Sequence, residues 1–235
     1  MSKGLEFEPI GWVRCGYKEK FGVPRQPGLA PSVESVIEFE SPYNTDAAFR
    51  ELNKFSHIWI IFVFHQVPHR GWQPTVRPPR LGGNERVGVF ASRSPFRPNP
   101  VGLSVVKLLG VECRNQQCFL RIAGGDMVDG TPVLDIKPYI PYADSVDASS
   151  GYVRPFIPAN VNIEFADLAL TRITHYEKTL GIELRQQIVE ILQQDPRPAY
   201  REDAPGTEYG MRLYNFNLRF QYIETGHFRV TALEP

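Results

Sequence analysis

Residues 55–65, FSHIWIIFVFH, contain the longest apolar run in this chain of 235 residues. The apolar run inside it, residues 58–64, is far shorter than the roughly 20 residues that a helix needs to cross a bilayer. It is rich in β-branched and aromatic side chains, which favour a pleated and buried strand over a helix. We therefore predict a β-strand in the protein core.

Further stretches of the same composition flank this strand. They are PIGWVR (9–14), VESVIEFE (33–40), RVGVFAS (86–92), LSVVKLLGV (103–111) and QCFLRIAG (117–124). Glycine, proline or polar residues separate them, a spacing typical of an all-β barrel. One short helix fits between Thr45 and Lys54. Because no G-x-G-x-x-G follows a strand and long helices do not alternate with the strands, a dinucleotide-binding sheet is not expected.

The C-terminal third has a different pattern. Residues 145–159, SVDASSGYVRPFIPA, read as a linker, after which apolar residues recur at helical spacing and stop before Asp195 and Pro196. These apolar residues are Leu184, Ile188, Ile191 and Leu192. We therefore expect a mainly β protein in two parts, a barrel in residues 1–148 and a small α+β domain in residues 155–235.

The tail of the chain alternates strictly and predicts a hairpin packed on that helix. One face carries Tyr214, Phe216, Leu218, Phe220 and Tyr222, and after a turn at Thr225 and Gly226 it continues with Phe228, Val230 and Ala232. The polar face carries Asn215, Asn217, Arg219 and Gln221.

Composition excludes several classes of protein. The net charge is zero, so any contact with nucleic acid must come from local clusters of charge. The N-terminus has no apolar signal core, which favours a cytoplasmic protein over a secreted one. Cys15, Cys113 and Cys118 follow no zinc-ligand spacing, and we expect them to be reduced thiols. Motifs of zinc hydrolases, serine esterases and P-loop nucleotidases are absent from the sequence, so no metal is expected.

Residues 70–100 concentrate arginine and proline. The arginines are Arg70, Arg77, Arg80, Arg86, Arg93 and Arg97, and the prolines are Pro74, Pro78, Pro79, Pro95, Pro98 and Pro100. Proline restricts the backbone and lowers the entropy lost on ordering, while guanidinium groups suit planar carboxylates and phosphates. This pattern favours an anion-binding surface on which Trp72, Phe90 and Phe96 can stack bases. A solvated loop whose prolines only set turns is the alternative.

Two turns and one strand end are further candidates for a polar site. Residues 129–132, DGTP, and residues 24–28, PRQPG, each read equally well as plain turns. His65 and Gln66 end the predicted central strand, where a histidine is more often structural than catalytic.

Taken together, these motifs resemble the TsaA-like family. They are PRQPG (24–28), FSHIWIIFVFHQ (55–66), RPPRLGG (77–83), GVFASRSPFRPNPVGLS (88–104), DGTPVLDIKPYIPYADS (129–145) and DPRPAYR (195–201). The resemblance implies a six-stranded barrel that binds S-adenosylmethionine without a Rossmann sheet, as a homodimer. It also implies methylation of N6 on the threonylcarbamoylated adenosine beside the anticodon of threonine tRNA.

The resemblance also implies a set of site residues. The segments that match the family's cofactor pocket are Pro24, Arg25, Gln26, His65, Gln66, Arg93, Leu103, Asp129, Gly130, Thr131 and Pro132. Asp129 and His65 are the candidates for a general base, because both are polar and stand in intact motifs. Val101 and Ser92 are mild departures from the family's usual isoleucine and threonine.

Two alternatives remain open from the sequence. One is a regulatory barrel that senses S-adenosylmethionine without transferring a methyl group, and the other is an RNA-binding barrel that uses no cofactor. A neutral chain must also hold tRNA, so we expect two subunits to join their arginine surfaces into one basic face. The sequence leaves Arg70, Arg77, Arg80, Arg86 and Arg97 unassigned among RNA binding, the partner subunit and the fold.

Overall fold

The computed structural model describes residues 4–67, 72–78, 85–114, 117–153, 161–197 and 203–235. Its N-terminal part is a closed barrel of six antiparallel strands, which confirms the predicted fold class. The barrel strands are β1 (Gly11–Cys15), β2 (Glu34–Phe39), β3 (His57–Val63), β6 (Val101–Arg114), β7 (Gln117–Ala123) and β8 (Pro132–Pro138). Around the barrel they follow the order β1-β2-β7-β6-β3-β8, and β8 pairs with β1 to close it.

The central strand lies where the sequence predicts it. In β3 the residues Ile58, Ile60 and Phe62 are buried, while the residues between them are partly exposed. The alternation follows from the two-residue period of a strand, which turns every second side chain into the barrel. Because β3 pairs with β6 on one side and β8 on the other, its end lies beside the start of β6.

One of the predicted barrel strands is wrong. Residues 86–92 contribute only β5 (Val87–Gly88), which pairs with β4 (Thr75–Val76) in a separate two-stranded ribbon, and a 3-10 turn (Val89–Ala91) follows. Strand β8 completes the barrel. It begins at Pro132, and proline is tolerated at this first position because it removes no hydrogen bond from the interior of the strand. The predicted helix between Thr45 and Lys54 is two 3-10 turns, Asp46–Phe49 and Leu52–Lys54.

The C-terminal unit, residues 161–235, packs two helices on a four-stranded sheet. Its elements are β9 (Asn162–Phe165), α2 (Asp167–Leu180), α3 (Leu184–Leu192), β10 (Glu208–Leu213), β11 (Phe216–Glu224) and β12 (His227–Glu234), and a short helix α1 (Pro141–Asp144) precedes them. The sheet order is β10-β11-β12-β9. Helix α3 and the β11–β12 hairpin are confirmed, whereas the prediction that Ala232 continues the apolar face is wrong. A bulge in β12 makes Leu233 the buried residue.

The barrel and the C-terminal unit share one hydrophobic core. Tyr17 of the barrel forms a β-bridge with Leu213, and the main-chain N–H of Tyr214 donates to the oxygen of Gly16 at 2.6 Å. The domain boundaries at residues 148 and 155 stay predictions. Within the described ranges, no helix is both long and apolar enough to span a membrane.

The expected thiol state is wrong for two cysteines. Cys113 and Cys118 form a disulfide, because the register of the β6–β7 hairpin places them directly opposite each other with Cα atoms 4.1 Å apart. Cys15 is a buried free thiol. Burial raises the pKa of Cys15 to about 12, so this residue stays protonated and unreactive at neutral pH.

Candidate active site

A cavity of about 680 Å³ opens where the end of β3 meets the start of β6. Its lining comes from residues 20 and 23–26, from β3 with residues 64–67, from residues 92, 93 and 95–97, from the start of β6, and from residues 126–128 and 131. These segments are far apart in sequence, and the closure of the barrel brings them to one place. The volume falls within the roughly 300–1,000 Å³ usual for small-molecule sites.

The structure brings most of the predicted site residues to this cavity. Those that line it are Pro24, Arg25, Gln26, His65, Gln66, Arg93, Leu103 and Thr131. Asp129, Gly130 and Pro132 are not among the lining residues. The cofactor roles of both groups stay predictions.

Basic side chains form one wall of the cavity. Arg93 Nη1 donates to Gln26 Oε1 at 2.6 Å. Arg25 Nη2 donates to the main-chain oxygens of Asp195 at 3.1 Å and Arg197 at 3.3 Å, both in the C-terminal unit. The Lys20 ammonium donates to the main-chain oxygen of Gln66. These neutral acceptors orient the cationic groups at the wall.

Asp126 is a cavity residue that the sequence reading missed. Its Oδ1 accepts a hydrogen bond from Ser104 Oγ at 2.6 Å, and both residues line the cavity. Burial raises the pKa of Asp126, while the Ser104 hydrogen bond and the charge of Arg93 act in the opposite direction. The available signal was an acid that directly follows two glycines at the end of a predicted strand, Gly124 and Gly125.

Asp129 is engaged in holding the barrel together. Its Oδ1 accepts the main-chain N–H of Cys15 at 2.9 Å, and its Oδ2 pairs with Lys18 Nζ at 2.9 Å. The Gly130 N–H donates to the oxygen of Val13 at 2.8 Å. The 129–132 turn is therefore fastened to β1.

His65 lies on the cavity wall directly after β3. Its main-chain N–H donates to the oxygen of Val63 at 2.8 Å, a tight turn that directs the chain away from the barrel. Burial and the charge of Lys20 lower the pKa of His65. The imidazole is therefore neutral at pH 7 and can accept a proton.

Aromatic and aliphatic side chains form the apolar part of the cavity. Phe62 and Phe64 meet edge to face with ring centroids 5.1 Å apart, and both line the cavity with Phe96 and Leu103. Gly102 makes room for this arrangement, because a Cβ atom there would lie 2.2 Å from Cζ of Phe62. The cavity thus joins an apolar surface to a basic wall and one half-buried carboxylate.

Two arginines of the arginine–proline segment build its shape. Arg86 donates from Nε to Thr75 Oγ1 at 2.8 Å and from Nη2 to the Thr75 oxygen at 3.1 Å, which ties β5 to β4. Arg97 Nη1 donates to the oxygens of Val89 at 3.2 Å and Ser92 at 2.7 Å. Arg77 is exposed, and Arg70 and Arg80 lie outside the described residues.

One group of potential metal ligands lies elsewhere. In the part of the chain that the structure describes, Asp46, Cys113 and Cys118 come within 4.8 Å of one another. The two sulfur atoms are bonded to each other, and none of the three residues lines the cavity. This group therefore has no part in the chemistry of the cavity.

Comparison with known proteins agrees with the fold. The signature of the tRNA-methyltransferase O N-terminal domain matches residues 12–145, and that of the TrmO C-terminal domain matches residues 158–235. The chain is 49% identical over 233 residues to the tRNA (adenine(37)-N6)-methyltransferase of Escherichia coli K12, covering 98% of each chain.

Two further comparisons extend this match. A Pseudomonas aeruginosa protein, RcsF, whose name places it among the S-adenosylmethionine-dependent methyltransferases, is 40% identical over 222 residues, 94% of each chain. The crystal structure of TrmO from Pseudomonas aeruginosa superposes with a TM-score of 0.82 at 35% identity, covering 99% of this chain and all of the other. By its sequence signatures, its relatives and its barrel, this chain belongs to the tRNA-methyltransferase O family.

Proposed function

We infer that this protein transfers a methyl group from S-adenosylmethionine to N6 of adenine 37 in tRNA. The observation that carries the proposal is the cavity at the end of the barrel, where Arg25 and Arg93 form one wall, Asp126 lies half-buried, and phenylalanine rings complete the surface. Family membership supports the reaction, because the E. coli relative is named for it.

The residues of the cavity fit the chemical groups of S-adenosylmethionine. Its carboxylate suits the guanidinium of Arg25 or Arg93, because arginine binds planar anions through two parallel hydrogen bonds. Its adenine suits the flat surface of Phe64 and Phe96, which line the cavity. Its cationic centres suit the carboxylate of Asp126, which shares the cavity with these groups.

The protein's part in the reaction is positioning. When bound, S-adenosylmethionine supplies an electrophilic methyl group on sulfur, and transfer by in-line displacement needs no metal. The chain holds its cavity walls by short contacts, such as Arg93 to Gln26 at 2.6 Å. Fixed walls reduce the entropy that must be lost when donor and acceptor meet.

The proton on the acceptor nitrogen needs an acceptor of its own. His65 and Asp126 both line the cavity, and the lowered pKa of His65 leaves it able to take up a proton at neutral pH. Asp129 was also predicted for this role, and its oxygens contact Cys15 and Lys18. We place His65 and Asp126 ahead of Asp129 because of their position in the cavity.

The specific substrate and assembly are part of the same proposal. We expect the acceptor to be the threonylcarbamoylated adenosine of threonine tRNA, bound by a homodimer in the cytoplasm, where tRNA is modified. Trp72 and Phe90 are 53% and 73% exposed and offer faces for splayed anticodon-loop bases. The chain has no net charge, so tRNA binding depends on arginines that paired subunits join into one face. Because contacts between arginine and phosphate release counterions, tRNA affinity should then fall steeply with salt.

Nucleoside mass spectrometry of tRNA tests the proposal. A strain that lacks the gene should lose the N6-methylated nucleoside, wild-type protein should restore it, and the Arg93→Ala variant should not. Purified protein should also be stabilised against heat by S-adenosylmethionine, increasingly with its concentration. Unchanged tRNA in the deletion strain would refute methyl transfer and favour a sensing barrel, while absence of thermal stabilisation would favour an RNA-binding barrel without cofactor.

A further inference from the structure

The segment that carries the predicted PRQ residues is held from outside the barrel. We call residues 24–32 the 24–32 loop. At one end Arg25 Nη2 donates to the oxygens of Asp195 and Arg197, at 3.1 and 3.3 Å. At the other end Glu190 Oε2 accepts hydrogen bonds from the Ser32 N–H at 3.0 Å and the Ser32 hydroxyl at 2.7 Å. The C-terminal unit therefore contacts the loop on both sides of Gln26.

The two main-chain oxygens that accept hydrogen bonds from Arg25 belong to Asp195 and Arg197. The side chains of these two residues contact one another and those of Asp203, Tyr222 and Phe228, and we call these five residues the Arg197 cluster. Arg197 donates to Asp195 from Nε at 2.8 Å and from Nη2 at 2.7 Å, and to Asp203 from Nη1 at 3.1 Å. Its guanidinium lies 3.9 Å from the centroid of the Tyr222 ring and 5.3 Å from that of Phe228.

Burial and charge make this cluster stiff. The Arg197 side chain is 12% exposed and that of Asp203 is 3% exposed. The Asp195 hydrogen bond raises the pKa of Arg197 further, so the group is charged at every relevant pH. Asp195 adopts a left-handed backbone with φ of 44°, which a non-glycine residue holds only where its surroundings fix it.

From these contacts we propose that Arg197 is a positioning residue, and that the C-terminal unit serves the cavity by fixing Arg25. Arg197 folds the Asp195–Arg197 backbone so that its carbonyls orient the Arg25 guanidinium along the cavity wall. Arg25 in turn sets the loop whose Gln26 accepts the hydrogen bond from Arg93. This inference rests on the proposed function in one respect, namely that the ligand Arg25 serves is S-adenosylmethionine.

The contacts that link Arg197 to Arg25 predict an effect on ligand binding that general destabilisation of the protein would not produce. If Arg197 acts through Arg25, its effect on the ligand must vanish once Arg25 is removed, because contacting residues are not additive. Arg197→Lys keeps the charge and loses the guanidinium fork. Arg172→Lys is the matched control, since Arg172 Nη1 donates to the main-chain oxygen of Leu233 at 2.8 Å in the same unit and is away from the loop.

The test is calorimetric binding of S-adenosylmethionine to the full chain, without tRNA. Arg197→Lys should weaken binding roughly tenfold, the size expected when one hydrogen bond to a charged group is lost. Arg25→Ala should weaken it at least as much, and the double variant should bind like Arg25→Ala alone. Arg172→Lys should stay within about twofold of wild type. Equal losses from Arg197→Lys with and without Arg25, or no loss beyond that of Arg172→Lys, would overturn the proposal.

A second measurement separates this inference from the proposed function. Hydrogen exchange of the 24–32 loop, without ligand, should be faster in Arg197→Lys and unchanged in Arg172→Lys. If the wild type shows no binding to S-adenosylmethionine, the proposed function fails, and faster exchange in Arg197→Lys alone still upholds the positioning link. If the wild type binds and both variants exchange alike, the positioning link fails while the function stands.

Discussion

The cavity and the C-terminal unit use arginine in opposite ways. At the cavity Arg93 is exposed and donates to a neutral amide oxygen of Gln26. In the C-terminal unit Arg197 is largely buried and contacts two carboxylates and two aromatic rings. A neutral acceptor fixes the direction of a guanidinium group and leaves its charge for an anion, whereas paired carboxylates neutralise the charge and fix the backbone around it.

The contrast separates an arginine that binds from an arginine that shapes. Arg86 and Arg97 stand in the same segment as Arg93 and also donate to neutral groups, those of Thr75 for Arg86 and two carbonyls for Arg97, so they shape their own ribbon and turn without losing their charge. Richness in arginine therefore does not by itself locate a binding surface. The acceptor of a guanidinium group shows which segment it shapes, and its place at the cavity wall shows whether its charge can also serve an anion.

The largest effect should come from breaking the shared core. Phe228 is fully buried and touches the rings of Phe220 and Tyr222, so Phe228→Ala should lower the free energy of unfolding by about 3–5 kcal/mol. Because barrel and C-terminal unit share one core, urea unfolding followed by fluorescence and by circular dichroism should still give one coincident transition. Two separated transitions would show that the barrel and the C-terminal unit unfold independently and would contradict a shared core.

The next largest effect should distinguish Arg93 from Arg86. Arg93→Ala removes a cation from the cavity wall, and we expect kcat/KM for tRNA methylation to fall about 100-fold, as for loss of a charged hydrogen bond at a reacting site. Arg86→Ala loosens only the β4–β5 ribbon, so its kcat/KM should fall less than about threefold. Initial rates with purified tRNA and labelled methyl donor measure both. Similar losses in the two variants would contradict the division into binding and shaping arginines.

A smaller effect should follow from loosening the far end of the 24–32 loop. Glu190 Oε2 accepts both the N–H and the hydroxyl of Ser32, and the residue is 9% exposed. Glu190→Ala leaves a buried donor without its acceptor and should cost about 1–3 kcal/mol of the free energy of unfolding. The matched variant Glu234→Ala removes the surface partner of Arg219 and should lower the free energy of unfolding clearly less than Glu190→Ala does. Equal losses of unfolding free energy in the two variants would mean that the contact between Glu190 and Ser32 stabilises the protein no more than a surface ion pair does.

Local patterns predicted much of the fold. Residues 55–65 specify a strand through their β-branched and aromatic composition, the apolar spacing from Leu184 to Leu192 specifies a helix through its periodicity, and the structure has β3 and α3 there. Helix α2 escaped prediction because only Ala169 and Ile173 are buried while Leu168 and Leu180 are exposed, which blurs the helical pattern.

The long-range features could not be read from the sequence in the same way. Barrel closure by β8 and the disulfide between Cys113 and Cys118 depend on strand register, which no single segment encodes. Most of the predicted site residues line the cavity, because they stand in long motifs of the sequence, although their cofactor roles stay predictions. Asp126 was missed because its surroundings, Ser104 and Arg93, come together only in the folded barrel.

The smallest expected effect is on the pH dependence of stability, and it comes from Asp126 in the cavity. Burial raises the pKa of Asp126 above its usual value, so in the folded state the carboxyl binds its proton more tightly than in the unfolded state. Ionised Asp126 therefore costs stability at neutral pH, and this cost fades as the pH falls through the raised pKa toward the ordinary value near 4.

Asp126→Asn keeps an acceptor for Ser104 and removes the ionisation. The variant should be more stable than the wild type at pH 7, and the difference should shrink as the pH is lowered to 4, as measured by urea unfolding at each pH. A control variant at a paired surface carboxylate, Glu34→Gln opposite Arg121, should show no such gain at pH 7. If Asp126→Asn were less stable than the wild type at pH 7, the carboxylate would be stabilised by its own protein surroundings. Asp126 would then resemble Asp195 and Asp203, whose charge is balanced within the protein by Arg197. Its place in the cavity would no longer indicate a role in binding a cationic ligand.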